Sequence, residues 1–274
     1  MDLEKLFLKV EKYKVPPTIL FRSIEIKLLR EKIAHLLEPS RPALDLGCGD
    51  GTAALAVFDG RIDYGLDNES EALKTAEKDG IYGKTIFADA GNIPLPDNCL
   101  KLVFCNCSLE HMENLDLVLK EVSRVLMAGG LFIFTTPSHN FKNYSFLDFL
   151  QLKTLAKIYG NLRDRRQHHY HSHSLEDWSS ILAKFNLKKT DGYYYLDKKV
   201  LEFWDFLLIL YLPFSLLMRL SSVFEILTDK IYSGLIYRIF FRKKIYQKFL
   251  ESKISGPDGA AVCVIANKEM YAQR

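Results

Sequence analysis

Asp45-Leu46-Gly47-Cys48-Gly49-Asp50-Gly51 is the stretch whose reading decides the fold. It follows the short apolar run Ala43-Leu44 and opens into Thr52-Ala53-Ala54-Leu55-Ala56-Val57, which can start a helix. An apolar strand, a glycine-rich turn and a helix form the unit that binds adenosine-containing cofactors. Glycine is needed there because the chain turns tightly and its backbone must approach the ligand with no Cβ in the way. Asp67 ends the next apolar run, Ile62-Asp63-Tyr64-Gly65-Leu66. A carboxylate about 20 residues past the first glycine is placed to hold a ribose diol.

The glycine spacing separates two cofactor classes. A dinucleotide fingerprint, Gly-x-Gly-x-x-Gly, would put its third glycine at position 52, which is Thr52. The pattern is instead acidic-x-Gly-x-Gly-x-Gly, headed by Asp45. A pyrophosphate would be repelled by Asp45 and Asp50, whereas a cofactor carrying an ammonium and a sulfonium would not. The charges favour S-adenosylmethionine over NAD.

Further motifs follow in order: Ala88-Asp89-Ala90, Ile93-Pro94-Leu95-Pro96-Asp97, Asn106-Cys107-Ser108-Leu109-Glu110-His111, and Arg124-Val125-Leu126-Met127-Ala128-Gly129-Gly130-Leu131-Phe132-Ile133. With the glycine loop, they make residues 42–136 resemble a class I S-adenosylmethionine-dependent methyltransferase core. Two departures lie at element edges. Leu100-Lys101 stands where the family usually has Phe-Asp, and Met127-Ala128 where it has Lys-Pro. The resemblance implies that Gly47, Gly49 and Gly51 line the methionine part, that Asp67 takes the ribose hydroxyls, and that Asp89 with Ala90 meets the adenine. Asp45, Cys48, Asn68 and Asn106 complete the expected cofactor-binding set.

The chain has 274 residues, 48% apolar and 26% charged, enough for one large domain with a sizeable core. A net charge of +3 is too small to argue for nucleic acid as partner. The Asn/Asp-Pro-Pro-aromatic tetrapeptide of amino-directed nucleic-acid enzymes is also absent where the fourth strand ends. Five cysteines and the start Met1-Asp2-Leu3-Glu4-Lys5, which lacks signal-peptide shape, read as a reduced, cytoplasmic protein. Cys105 and Cys107, two apart on an expected strand, read as small core hydrophobes on one face; no metal site is expected.

Apolar spacing predicts a helix over 18–37, starting near Pro16-Pro17, and strands at 42–46, 62–66, 84–88, 101–106 and 130–136, with a helix at 113–127. That alternation predicts an α/β, Rossmann-like, seven-stranded, mostly parallel sheet with helices on both faces. A helix over 144–160 would present Phe146, Phe149, Leu152 and Leu155 as one apolar stripe. Ser174-Leu175-Glu176-Asp177 fits a capping box opening a helix to about Phe185. Leu187–Leu196 and Gly259–Asn267 read as the sixth and seventh strands, an antiparallel pair by resemblance. Roughly 60 residues separate them, far beyond a hairpin loop of about 2–5, so a helical insertion precedes the last strand. The expected organisation is a helical lid at 1–40, a core at 41–196 with a helical segment at 138–173, the insertion at 197–256, and the final strand at 257–274.

The run 206–218 carries no charge but is too short for a membrane span, and Pro213 should break it. Asp229–Phe249 interleaves aromatics with Arg238, Arg242, Lys243, Lys244 and Lys248, as an interfacial helix on anionic lipid would. This gives an expectation of peripheral contact with the inner face of a membrane through 206–249. The other reading of the insertion is a helical cap packed on its own core or on a second subunit.

Methyl transfer from a sulfonium releases a neutral thioether, so catalysis can rest largely on positioning. A base is required only for a hydroxyl or protonated amine acceptor. His111, just past the fourth strand, is the candidate base, and His139 a second. His168-His169-Tyr170-His171-Ser172-His173 has no interspersed carboxylate or cysteine and reads as an exposed loop. Tyr13, Arg22 and Glu25 could fold over the cofactor as part of the lid. The expected acceptor is small or lipid-linked: a lipid, a quinone or a lipid-carried glycan. A cytosolic metabolite, or cofactor binding without catalysis, is the alternative.

Overall fold

The protein was studied as a computed structural model that describes residues 16–37, 40–218, 256 and 258–270. Helices α1 (Pro16–Lys32) and α2 (Ala34–Leu37) precede β1 (Ala43–Leu46), α3 (Thr52–Val57), β2 (Ile62–Asp67), α4 (Ser70–Lys78) and β3 (Tyr82–Phe87). β4 (Leu100–Asn106), α5 (Leu115–Val125) and β5 (Leu126–Pro137) follow, then α6 (Phe146–Phe149), α7 (Lys153–Arg166) and α8 (Leu175–Ala183). The described part closes with β6 (Leu187–Tyr195), α9 (Lys198–Met218) and β7 (Ala261–Lys268). Single 3-10 turns lie at Leu109–His111 and Phe141–Asn143.

The seven strands form one sheet in the order β3-β2-β1-β4-β5-β7-β6. All neighbours are parallel except β7, which runs antiparallel to both β5 and β6. Alternate residues feed opposite faces, as a pleated strand requires. On β4, Leu102 and Phe104 join the core shared with α1, α3 and α9, while Val103 and Cys105 join the core under α5 and α8. On β7, Ala261, Cys263 and Ile265 serve the first face and Val262, Val264 and Ala266 the second. Strands buried on both sides read as continuous apolar runs, which explains their legibility.

Helix ends follow their chemistry. Asn114 accepts from the Leu117 N–H at the start of α5. Ser174 and Asp177 close the expected capping box on α8, satisfying two N–H groups that the first turn leaves open.

Several expectations are corrected. The 144–160 helix is broken: Gln151 takes φ 61°, and the chain restarts as α7 in a new register. α7 buries Ala156, Gly160 and Arg163 and leaves Leu152 and Leu155 exposed, as is Phe149, so the expected stripe does not face the core. α9 passes through Pro213 without ending. Cys107 lies beyond the end of β4 at φ 48°, so it does not share a strand face with the buried Cys105. Along 18–37, Ile19, Leu20, Ile26, Leu29 and Ile33 are buried in the core shared with the sheet, and Glu25 is wholly enclosed. Tyr13 and the basic-aromatic segment Asp229–Phe249 lie outside the described residues. No described helix is long and apolar enough to cross a membrane.

Candidate functional site

Strand order reverses between β1 and β4, and ligands of open α/β sheets sit beyond the carboxyl ends of strands at such a switch point. The glycine loop leaves β1 there. Gly47 takes φ 71°, and a Cβ on it would come within 2.6 Å of the Ser108 Cβ. Ser108, just past β4, donates from its hydroxyl to the Gly47 carbonyl at 2.9 Å, joining the two strand ends. Gly51 takes φ 77° at the start of α3, with Ile81 2.5 Å from where its Cβ would be. Larger residues fit at neither position.

A cleft of about 670 Å³ opens along these strand ends, within the range of small-molecule sites. Gly47, Asp67, Asn68, Asp89, Ala90 and His111 line it, together with Ser108 and the start of α5. The first five belong to the expected cofactor-binding set. Asp67 accepts from the Gly49 N–H at 2.7 Å and from the Glu69 N–H at 2.9 Å, so it braces the glycine loop from the end of β2. Asp89 accepts from the Gly91 N–H at 2.7 Å, turning the chain after β3.

Of the remaining members of that set, Asp45, Cys48 and Asn106 are buried. Asp45 is buried and accepts from the Tyr82 hydroxyl at 2.6 Å. Burial raises its carboxyl to about 7, against the pull of the Tyr82 bond, and the negative charge of Asp67 adds to the rise. Cys48 is buried, and Gly49 and Gly51 take φ 53° and 77° in the turn. Asn106 is held inside by Glu25 at 3.2 Å and Thr135 at 2.9 Å.

Glu25 anchors a second network that charge spacing in the sequence does not reveal. It accepts from Arg22 (2.6 Å), Tyr195 (2.6 Å) and the Cys107 thiol (2.9 Å). Burial would raise its pKa, but the Arg22 guanidinium and these hydrogen bonds outweigh it and hold the carboxyl below its usual value. α1 is thereby tied to β4 and β6, and Arg22 is carried into a second, smaller cavity.

That cavity, of about 160 Å³, is lined by Arg22, Cys107, Glu110, His111, Phe141, His169 and Trp204 among others. His111 lines both cavities and so stands between them. Burial lowers its pKa, leaving a neutral imidazole at neutral pH. His139 lines neither cavity. Within the expected histidine loop, His169 turns inward instead. Its ring lies 5.4 Å from that of His111, and its Nδ1 is 3.0 Å from Asp164. Sequence reading missed Glu110 and His169 because 59 positions separate them; their segments are fastened by tertiary bonds, among them the Tyr170 N–H donating to the Glu110 carbonyl at 2.7 Å and His171 Nε2 at 2.8 Å from the Met112 carbonyl.

Residues 44–134 match a family model described as a methyltransferase domain. The chain carries a class I S-adenosylmethionine-dependent methyltransferase domain. S-adenosylmethionine is the cofactor of this methyltransferase domain. The chain is 34% identical over 130 residues to a sterol 4-C-methyltransferase of Caenorhabditis elegans, covering 43% of this chain and 39% of that one. It is 28% identical over 145 residues to a demethylmenaquinone methyltransferase of Geobacillus stearothermophilus, covering 49% and 62%. The chain thus spans less than two thirds of the curated relatives it matches. A crystal structure described as a S-adenosylmethionine-dependent methyltransferase from Thermotoga maritima shares the fold at a TM-score of 0.58 and 15% identity, covering 96% of this chain and all of that one.

Asp67→Ala is expected to weaken S-adenosylmethionine binding roughly ten- to a hundredfold. Loss of a charged acceptor from a sheltered diol costs about 1.5–3 kcal/mol. Asp67→Asn, which keeps an oxygen for the Gly49 N–H, should recover part of the loss. An unchanged dissociation constant in Asp67→Ala, by calorimetry, would show that Asp67 serves the loop alone.

Proposed function

We propose that the whole protein transfers a methyl group from S-adenosylmethionine to a lipid-linked acceptor, whose reacting atom enters the small cavity and meets His111. The observation that carries this reading is His111, which lines both cavities. A donor in the cleft and a nucleophile in the small cavity would meet there, as an in-line displacement requires. The sterol- and demethylmenaquinone-methylating relatives support an apolar acceptor.

The exposed surface of α7 adds to the case. α7 exposes Leu152 at its cap, Leu155, Ile158 and Leu162 along one ridge. The exposed Lys153, Lys157, Arg165 and Arg166 flank it. An apolar ridge between cations suits the boundary of an anionic bilayer, each cation near the surface contributing about 1 kcal/mol. The expectation that placed membrane contact at 206–249 is thus joined by a helix it did not include.

The test uses methyl-labelled S-adenosylmethionine with separate membrane and cytosol extracts. Label is expected in the organic phase of the membrane reaction. In parallel, replacing Lys153, Lys157, Arg165 and Arg166 by Gln should release the protein from anionic vesicles without changing cofactor affinity. Label appearing only in water-soluble products would identify a cytosolic metabolite as acceptor. Cofactor binding with no labelled product from either extract would mean that the fold binds without catalysing.

A further inference from the structure

We propose that Glu110, His111 and His169 bind one divalent transition-metal cation whose open coordination positions face the small cavity and take the acceptor's oxygen. This rests on the methyltransferase reading above and deepens it by naming the acceptor atom.

One ligand atom from each of the three residues lies within 4.8 Å of the other two. Both imidazoles are already oriented from behind. His169 Nδ1 meets the Asp164 carboxylate at 3.0 Å, and His111 Nδ1 meets the His168 carbonyl at 3.3 Å. A histidine that donates from Nδ1 keeps the lone pair of Nε2, and a carboxylate behind a ligating histidine fixes its ring and raises its basicity. His168 itself takes φ 53°, in the turn that presents His169.

The third residue supplies an independent observation. Glu110 is 2% exposed and lines the small cavity, yet its Oε2 has no hydrogen-bond partner among the described residues. Gln167 Oε1 lines the same cavity and is also without a partner among the described residues. Buried oxygens left without donors are costly, and a bound cation with its waters would satisfy them.

Two imidazole nitrogens and one carboxylate suit zinc, cobalt, manganese or iron better than magnesium or calcium, which prefer oxygen alone. Three protein ligands leave positions open for water or substrate. An acceptor hydroxyl bound to the cation would release its proton to solvent. Its oxygen would then form the C–O bond as the C–S bond breaks, the pair passing to sulfur and leaving a neutral thioether.

Cobalt(II) alone, titrated into the full chain, tests the site by its visible absorption. One equivalent is expected to bind with nitrogen and oxygen ligand bands and no thiolate charge-transfer band. His169→Ala and Glu110→Gln should each weaken binding at least about tenfold, and Asp164→Asn, which loosens His169 from behind, by about 10–100-fold. His139→Ala, outside both cavities, should leave it unchanged. Circular dichroism and cofactor affinity confirm that each variant folds. Absence of binding, bands from cysteine sulfur, or indifference to all three substitutions would overturn the proposal. Full methyl transfer by chelator-treated protein would also overturn it while leaving the methyltransferase reading intact. Failure of the protein to transfer methyl at all would sink that reading, and the cobalt titration, which needs no cofactor, would still decide the site.

Discussion

Asp205→Ala is expected to destabilise the protein by about 3–5 kcal/mol, the usual result of stripping a buried charge of its partner. Asp205 on α9 is wholly buried and accepts from Arg163 at 2.6 Å, the Tyr159 hydroxyl at 2.8 Å and the Phe146 N–H at 2.8 Å. Arg163, on α7, also donates to the carbonyls of Phe141 at 2.6 Å and Tyr144 at 3.0 Å. Its guanidinium lies over the rings of Phe141 and Trp204, at 4.9 and 5.5 Å. One ion pair therefore fastens α6, α7 and α9 together beside the small cavity.

Without Asp205, Arg163 keeps its charge in an enclosed place with only carbonyls to meet it. Replacing both residues by apolar ones of similar volume should cost much less than the single change, because no unpaired charge remains. Urea unfolding of the two variants checks this. A single substitution costing under about 1 kcal/mol would mean that water reaches the pair and that it holds nothing together.

His111→Ala is expected to lower turnover by about 10²–10⁴-fold while leaving S-adenosylmethionine affinity within about twofold. The imidazole lines both cavities, so under the proposed function removing it takes away a polar group that stands between donor and acceptor. Whether the acceptor's proton passes to the ring or the acceptor sits on a cation held by it, the loss falls on the chemical step. Single-turnover kinetics with the acceptor recovered from the labelling experiment give the measurement. A raised KM with unchanged kcat would assign His111 to acceptor binding alone.

The parts of the fold that sequence shows plainly are those where burial is symmetrical or turn chemistry is strict. β1 is buried throughout and β4 at every residue but Lys101, and Gly47 and Gly51 sit at positive φ against Ser108 and Ile81. The capping box at Ser174 is a local hydrogen-bond pattern and needs no tertiary information. α7 was illegible because one residue, Gln151 at φ 61°, resets the helical register, and because Gly160 packs where a Cβ would lie 2.0 Å from the Lys142 carbonyl. That close approach buries the small face of α7 and turns its leucines outward, the reverse of what apolar spacing suggests.

The site divides along the same line. Asp67 and Asp89 lie at strand ends, where the parallel sheet places them without further help. Asp45 has the right residue type at the right spacing, yet a bond to Tyr82, 37 positions away, draws it beneath the loop. Glu110 and His169 carry no local signature, since their partnership is made by the chain returning through α7. Glu25 reaches Tyr195 across 170 positions. Long-range polar contacts of this kind leave no periodicity to read.

Calorimetric titration of the wild-type protein with S-adenosylmethionine and, separately, with NADH tests most directly the claim that the loop Asp45–Gly51 serves a sulfonium cofactor. One equivalent of S-adenosylmethionine is expected to bind and NADH to give no binding heat, because Thr52 replaces the third dinucleotide glycine and Asp50 repels phosphate. Saturable binding of NADH with none for S-adenosylmethionine would contradict the account.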